Sequence, residues 1–499
     1  MPQSCKIDLR RRGVCVIIPT YNNAGTIEDV VTRAQAFCED VFVVLDGCTD
    51  ATLSLLEALP VRPRLVVLDR NRGKGFALKT GFRAALDAGF AFAITLDADG
   101  QHYPEDIPLF LEAGRRHPDA LIVGRRAGLK NADRSGGSKF ANAFSNFWFC
   151  VQTLHRLSDT QTGYRLYPLR RLRGLSLLTS RYESELELLV FSAWRGVRLA
   201  EQEVRVYYPP RSERVSHFRP FRDFSRISLL NVVLCLLALV YGIPRTVLRA
   251  LLKWLKTVAA GLFLLLAVLL VVNPGILCLS VGRVTEARQR KLRAFISGTM
   301  GFGVKVLECC GTHFTFSNPY GESFDKPAVI ISNHQSALDI LMMLSLTPDL
   351  VIVTAGWVWH SPIYGFAVKR AGYVPVTRGV SEIEDDLKAM AAKGCSIVIY
   401  PEGTRSLDCT VQRFHKGAFY LAEALGLDIL PVVMYGSGRA LPKHFKVLDR
   451  WPVRMEIDRR ITREELSAMG DARRQASSLR QYYSERYGAI ADRIEQTLG

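Results

Sequence analysis

Residues 13–225 alternate between two kinds of pattern. Short β-branched runs at 14–19, 41–45, 65–68 and 92–96 read as strands. The stretches at 26–37, 52–58 and 76–88 read as helices, the first capped by polar residues 22–26 and the third opened by Gly73 and Gly75. Such alternation predicts an α/β domain with a parallel, doubly wound sheet.

The pattern then breaks. Residues 227–243 and 258–281 carry no charge, although Asn273-Pro274 interrupts the second run. A bilayer core takes ~20 apolar residues per helix, so 226–282 is predicted to form a membrane-associated helical hairpin. Arg245, Arg249, Lys253 and Lys256 lie between the two runs, and basic residues flank both outer ends. Orientation is therefore not set by the positive-inside rule, and a hairpin dipping into one leaflet fits as well as one that spans. Residues 283–499 return to mixed α/β, with strands expected at 329–332, 396–400 and 430–435 and a closing amphipathic helix at 472–498. The expected organisation is thus 1–225, 226–282 and 283–499.

Composition changes this picture in two respects. A net charge of +17 points to polyanionic partners: nucleic acid, phosphorylated substrates or anionic lipid. No nucleic-acid module or basic–aromatic interleaving is present, so nucleic acid is not expected as a partner. The 11 cysteines include no CxxC pair and several sit in apolar runs, which reads as reduced thiols in a cytosol-facing protein. The apolar run at 14–18 is strand-length and does not read as a signal peptide.

Candidate chemistry is concentrated at strand ends. Leu96-Asp97-Ala98-Asp99-Gly100 closes an apolar strand, where ligands of open α/β sheets bind. Two acids spaced i, i+2 there can jointly meet one hard divalent cation, which can neutralise a diphosphate. Around them stand Val16-Ile17-Ile18-Pro19-Thr20-Tyr21-Asn22-Asn23, Val43-Val44-Leu45-Asp46-Gly47-Cys48-Thr49-Asp50, Asn71-Arg72-Gly73-Lys74-Gly75 and Asp159-Thr160-Gln161-Thr162-Gly163-Tyr164-Arg165. Together, in this order, they resemble the family 2 inverting glycosyltransferases, and within them the branch using polyprenyl phosphates, such as dolichyl-phosphate mannose synthases.

The resemblance implies a nucleotide-sugar-binding domain of Rossmann-like fold. It would place Pro19, Tyr21 and Asp46 around the base and ribose, and Asp97 and Asp99 on Mg²⁺ or Mn²⁺ at the diphosphate. Asp159 would be the acid near the acceptor, as base or positioning group. An acceptor that is already an ionised phosphate needs little base, and Arg165, His217 and Arg219 would steer it. The glycine-rich 71–75 segment could serve phosphate. Asn23 and Leu45 stand where the family usually has acids.

The second cluster begins at Ser332-Asn333-His334-Gln335-Ser336-Ala337-Leu338-Asp339, after a strand. A helix starting at the histidine would bring Asp339 near its imidazole, fixing the tautomer and stabilising the imidazolium formed when a hydroxyl is deprotonated. Val374-Pro375-Val376-Thr377-Arg378, Tyr400-Pro401-Glu402-Gly403-Thr404-Arg405-Ser406, Phe414-His415-Lys416-Gly417-Ala418 and Leu430-Pro431-Val432-Val433 follow. The set resembles the 1-acylglycerol-phosphate (lysophosphatidic-acid) acyltransferase family. By resemblance His334 is the general base and Asp339 its partner. Glu402, Gly403, Thr404 and Arg405 would hold the acceptor's anionic head, with Arg378 alongside and Lys416 as a further cation. No cofactor is expected for this domain.

The combined expectation is a bifunctional membrane enzyme of glycolipid biosynthesis. Its partners would be a nucleotide-sugar, acyl-CoA or acyl carrier protein, a lipid acceptor and the membrane. Its place would be a bacterial inner membrane, both catalytic domains facing the cytosol. The alternative is an acyltransferase whose N-terminal domain binds a sugar nucleotide without turnover.

Overall fold

The structure, a computed structural model, describes residues 2–127, 136–207, 220–281, 285–376, 380–443 and 448–498. The chain divides into two compact units, Met1–Arg249 with Asp492–Gly499, and Ala250–Ala491.

In the first unit the described strands are β1 (Val14–Thr20), β2 (Val41–Asp46), β3 (Arg64–Leu68), β4 (Phe92–Thr95), β5 (Ala120–Arg126), β6 (Arg165–Pro168) and β7 (Arg198–Val204). They form one sheet in the order β3-β2-β1-β4-β6-β5-β7. Every residue of β1 and β2 is buried, because helices cover both faces. Val14, Val16 and Ile18 point to the core shared with helices Ile27–Phe37 and Ile107–Arg116. Cys15 and Ile17 point to the opposite core, shared with Lys74–Asp87 and Ser184–Arg195.

The sheet is not wholly parallel. β6 runs antiparallel between β4 and β5, with Arg165 opposite Thr95. That reversal has a functional consequence: β6 begins where β4 ends. The residues preceding it, Asp159–Tyr164, therefore arrive beside the Asp97–Asp99 turn.

In the second unit β8 (Phe314–Ser317), β9 (Val329–Ser332), β10 (Leu350–Thr354), β11 (Val374–Pro375), β12 (Ser396–Ile399), β13 (Ile429–Tyr435) and β14 (Val453–Ile457) form a sheet ordered β11-β10-β12-β9-β13-β14-β8. β10, β12, β9 and β13 are mutually parallel, so their carboxyl ends share one edge. β14 turns antiparallel to β13. The closing helix runs Ala472–Leu498.

The expected hairpin is replaced by one continuous helix, Ser225–Ser280, long and apolar enough to cross a membrane. The basic stretch after Pro244 carries no turn signal and is rich in leucine, so it stays helical. Pro244 and Pro274 each follow a π-helical turn, Ala238–Gly242 and Val268–Val272. The wider turn accommodates a ring without an N–H, so neither proline ends the helix. Most of this surface is open: only 11% of its most apolar window is buried.

Candidate functional sites

The first site lies at the carboxyl ends of β1, β2 and β4. The loops leaving β1 and β2 are laced together. Asn22 accepts from the Thr49 amide (2.8 Å) and donates to Thr49 Oγ1 (3.2 Å), while the Asn23 and Ala24 amides donate to Thr52 Oγ1 (3.1 Å) and Asp50 (3.1 Å). Asn23 donates its side-chain amide to Thr20 Oγ1 (3.1 Å) and the Tyr21 carbonyl (3.3 Å), a job no carboxylate can do. Pro19 is buried within β1 and Tyr21 is half-buried just beyond it.

Asp46 is committed to structure. Its buried carboxylate accepts the amides of Arg72 (2.8 Å) and Gly73 (2.7 Å). Those two N–H groups of the 71–75 segment are therefore spent on Asp46 and not open to a phosphate. Gly47 is required in this crossing: its φ is +67°, and a Cβ would lie 2.3 Å from the backbone of Arg70 and Asn71.

Asp97 and Asp99 face different surroundings. Lys74 Nζ sits 2.7 Å from Asp97 Oδ1 and 3.0 Å from Glu185 Oε2. Burial alone would raise the Asp97 carboxyl, but the Lys74 charge, with lesser help from His102, holds it below its ordinary range. Burial and then the negative charge of Asp97 push Asp99 the other way, upward. The pair is thus split, one acid ionised and one biased toward its proton, as expected of close carboxylates. Burial outweighs both neighbouring acids at His102 and lowers its pKa. Its Nδ1 is buried without a hydrogen-bond partner, 3.8 Å from Asp97 Oδ2.

The donor set suits a hard divalent ion completed by diphosphate oxygens. Asp97 already carries a cation, and the orphaned His102 nitrogen stands beside it. Among the described residues no cluster of three or more His, Cys, Asp or Glu side chains forms a protein-only metal cage. Gly163 closes the other side of the site: a Cβ there would lie 2.7 Å from Asp97 Oδ2 and 2.9 Å from Lys74 Nζ.

Asp159 and Arg165 depart from the sequence reading. Asp159 is wholly buried, with one oxygen on Arg126 Nε (2.6 Å) and the other on Arg126 Nη2 (2.7 Å). It is held as the inner half of an ion pair, not as a free base. Arg165, expected to steer an acceptor phosphate, is fully buried. It donates to the carbonyls of Thr162 (2.7 Å), Thr160 (2.9 Å) and Glu185 (2.8 Å) and to the Tyr167 hydroxyl (3.2 Å). Its donors are used to hold the 159–165 loop, so the acceptor role is withdrawn. His217, Arg219 and Arg378 lie outside the described residues. Sequence reasoning missed Arg126 and Glu185, which carry no local signal. His102, three residues past Asp99, was available as a nearby nitrogen donor.

The second site lies at the carboxyl ends of β9 and β12. Helix Ala337–Leu344 starts after Ser336, and Asp339 closes a capping box at its third position. Asp339 Oδ2 accepts from the Gln335 (2.7 Å) and Ser336 (2.8 Å) amides and meets His334 Nδ1 at 3.0 Å. One carboxylate thus caps the helix and fixes the orientation of the imidazole. Tyr400 stacks on the ring, centroids 4.3 Å apart. The Ser406 amide donates to the His334 carbonyl (2.8 Å), tying the 400–406 loop to the dyad.

Within that loop the expected anion binders separate. Gly403 and Thr404 are exposed, Arg405 is half-buried, and Gly403 has φ +66°, which favours glycine. Lys443, which the sequence reading passed over, donates to Thr404 Oγ1 and to the Arg405 carbonyl, both at 3.0 Å. Glu402 turns inward instead: it is 3% exposed and accepts from the His334 amide (3.2 Å). Burial raises its carboxyl to about 8, and its second oxygen has no partner. A buried carboxyl bound to the histidine backbone positions the dyad and does not suit an anionic head group.

Comparison with known proteins finds a family match within each unit. The Glycosyl transferase family 2 model matches residues 15–165, and the Acyltransferase model matches residues 313–435. An undecaprenyl-phosphate mannosyltransferase of Micrococcus luteus is 31% identical over 202 residues, 38% of this chain and 81% of that protein. A chloroplastic 1-acyl-sn-glycerol-3-phosphate acyltransferase of Arabidopsis thaliana is 39% identical over 124 residues, 24% of this chain and 35% of that protein. The crystal structure of the 1-acyl-sn-glycerophosphate acyltransferase from Thermotoga maritima aligns with TM-score 0.40 and 19% identity, over 46% of this chain and 95% of that one. The chain spans only 35–42% of the length of the first curated acyltransferases it matches. The chain belongs to glycosyl transferase family 2 through its N-terminal unit, and fused to it is a domain of the acyltransferase family.

Proposed function

We propose that the protein is a bifunctional enzyme of glycolipid synthesis. The N-terminal unit would transfer a sugar, with inversion, from a nucleotide-sugar to a lipid or polyprenyl-phosphate acceptor. The C-terminal unit would transfer an acyl group from acyl-CoA or acyl carrier protein to a hydroxyl of a lipid acceptor. One observation carries the reading: each unit gathers a different reactive set at the carboxyl edge of its parallel strands, Asp97 with Asp99 in one and His334 with Asp339 in the other.

In the first reaction Mg²⁺ or Mn²⁺ held by Asp97 and Asp99 would neutralise the departing diphosphate. Asp46 holds the 71–73 segment in place, and Arg165 holds the 159–165 loop. Because Asp159 is paired with Arg126, the acceptor that fits is one that needs no base, an already ionised phosphate. That favours a polyprenyl or other lipid phosphate, and the Micrococcus luteus relative is named for such an acceptor. In the second reaction His334 Nε2 takes the proton of the acceptor hydroxyl as it attacks the acyl thioester. Asp339 stabilises the resulting imidazolium, and the thiol leaves with a proton returned by the imidazole. Thr404 and Arg405, braced by Lys443, would meet the acceptor's anionic head.

The helix Ser225–Ser280 is read as the membrane attachment. At ~1.5 Å per residue it is about 84 Å long, far beyond the ~30 Å of a hydrocarbon core. Its middle segment gathers Arg245, Arg249, Lys253 and Lys256 toward one side, where Arg249 meets the Trp194 carbonyl and Lys253 meets Asp449, and leaves Leu248, Leu251, Leu252, Leu255 and Leu262 exposed. An exposed apolar surface with basic residues alongside suits a helix lying within one leaflet. Activated sugars and acyl thioesters are cytosolic in most cells, which is the ground for assigning both sites to the cytosolic face of a bacterial inner membrane.

The enclosed Asp159 also favours a second reading, an acyltransferase whose N-terminal unit binds a sugar nucleotide without turnover. Lipids from cells expressing wild type, His334→Ala and Asp99→Ala, compared by mass spectrometry, decide between them. Accumulation of a glycosylated lipid short of one acyl chain in the first variant, and loss of the sugar in the second, supports two reactions in series. An unchanged lipid profile in Asp99→Ala removes the glycosyltransferase reading.

A further inference from the structure

The ammonium of Lys74 stands where a metal's positive charge would be wanted. It is the first residue of helix Lys74–Asp87, after Gly73 at φ +99°. Its side chain is 18% exposed and bridges Asp97 Oδ1 at 2.7 Å and Glu185 Oε2 at 3.0 Å. Burial disfavours its charge, yet the two carboxylates more than offset that and raise its pKa. Without it two largely enclosed acids would face each other with no cation between them. Backbone packing confines the arrangement: Gly163 leaves no room for a Cβ beside either Lys74 Nζ or Asp97.

We propose that Lys74 is a switching cation. In the empty site it neutralises Asp97 and Glu185. When a nucleoside diphosphate enters, its ammonium moves onto the diphosphate and releases Asp97 to the divalent ion. This rests on the reading of Asp97 and Asp99 as the metal-and-diphosphate site. A divalent ion arriving alone must compete with a tethered ammonium for Asp97. A diphosphate arriving with it offers the ammonium a second anionic partner, so the competition ends. The flexible four-carbon stem of lysine permits that short transfer; an arginine there would keep the charge, and a neutral side chain would abolish the exchange. Metal and diphosphate are then coupled, each strengthening the other by the same factor. The benefit is that the ion is held firmly only when the donor is present to use it.

Mn²⁺ titration of the full-length protein, read as loss of the free-ion EPR signal, tests this with no activity measurement. It is run alone, with UDP and, in parallel, with GDP, for wild type, Lys74→Met and Lys74→Arg. For wild type, the better diphosphate is expected to tighten Mn²⁺ binding about tenfold or more. Lys74→Met is expected to bind Mn²⁺ alone about tenfold tighter than wild type, with diphosphate adding less than about threefold. Lys74→Arg, which keeps the charge, is expected to stay closer to wild type than to Lys74→Met in both respects. If Lys74→Met binds Mn²⁺ alone no better than wild type, or if diphosphate has no effect on wild type, the switch is wrong while the metal site stands. If neither wild type nor variant binds Mn²⁺ under any condition, the metal reading fails and takes the switch with it. Should Lys74→Met prove unstable, Mn²⁺ is expected to raise its melting midpoint more than that of wild type, because the ion replaces the lost charge. An equal or smaller rise overturns the proposal.

Discussion

The two sites solve the problem of holding acids in opposite ways. In the C-terminal unit, His334 and Asp339 lie five residues apart, and Asp339 meets the imidazole while it builds the helix cap with Ser336. The dyad is local, neutral overall when the imidazole is charged, and ready with one free nitrogen. In the N-terminal unit two of the acids at the candidate site are matched with a cation from elsewhere in the chain: Asp97 with Lys74, Asp159 with Arg126. On the proposed function, one site is preorganised for a proton transfer and the other is stored as ion pairs that a charged substrate must rearrange. Proton transfer needs a fixed base, whereas diphosphate departure needs mobile positive charge.

The largest effect is expected where preorganisation does the most. His334→Ala should lower acyl transfer about 10²–10⁴-fold, the range for loss of a general base, while sugar transfer in the same preparation continues. Asp339→Asn keeps the helix cap partly satisfied but gives the imidazole an amide partner, so it should approach the same loss. Both are checked by radiolabelled acyl and sugar incorporation side by side. Retention of acyl transfer within twofold in either variant would break the contrast, because the local dyad would then not be the base.

In the N-terminal unit Asp97→Asn should reduce sugar transfer about 10²–10³-fold, as for loss of an electrostatic stabiliser of a leaving group. It should also free Lys74, which then pairs with Glu185 alone. A smaller loss, about tenfold, is expected from Gly163→Ala, because the added methyl meets the Asp97 oxygens and the Lys74 nitrogen closer than van der Waals contact. That variant leaves every charge in place. If it falls as far as Asp97→Asn, geometry matters more than charge at this site, and the N-terminal site is as dependent on preorganisation as the C-terminal one.

How much of this was readable in the sequence follows from the same contrast. The strand expected at 14–19 is Val14–Thr20, the helix at 26–37 is Ile27–Phe37, and the closing helix has the expected bounds of 472–498. These elements are set by their own apolar pattern. β6 was missed because Arg-Leu-Tyr-Pro shows no strand alternation; it is a strand because Arg165 can bury its guanidinium among carbonyls of the adjoining loop. β7, Arg-Leu-Ala-Glu-Gln-Glu-Val, is polar because it lies at a sheet edge. The hairpin failed for a related reason. The basic stretch at 244–256 was read as the connection between two apolar runs, but it is helical throughout, and the π-helical turns ahead of Pro244 and Pro274 are a feature that side-chain pattern does not encode. At the sites, the acids were legible and their partners were not. Arg126 is 33 residues from Asp159 and belongs to β5, which the sequence reading did not place.

The smallest expected effect concerns Glu402, the residue that least resembles its sequence-based assignment. Its burial against the His334 amide raises its carboxyl to about 8, against an ordinary value of 4.5. The folded state therefore holds the proton more tightly than the unfolded chain does. This contribution to stability is fully present below about 4.5 and declines as pH rises toward about 8, where the folded group finally ionises. Glu402→Gln keeps an oxygen for the His334 amide and carries no charge at any pH. The variant should lose that slope between pH 5 and 8 and exceed the wild type in stability at pH 9, with unfolding midpoints in urea as the measure. Acyl transfer should fall only about two- to tenfold, because Glu402 acts on the histidine through its backbone, within the range of a single hydrogen bond. A drop as large as that of His334→Ala, with no change in the pH slope, would mean that Glu402 meets the acceptor directly. The C-terminal site would then resemble the N-terminal one after all, with an acid whose state depends on the substrate that enters.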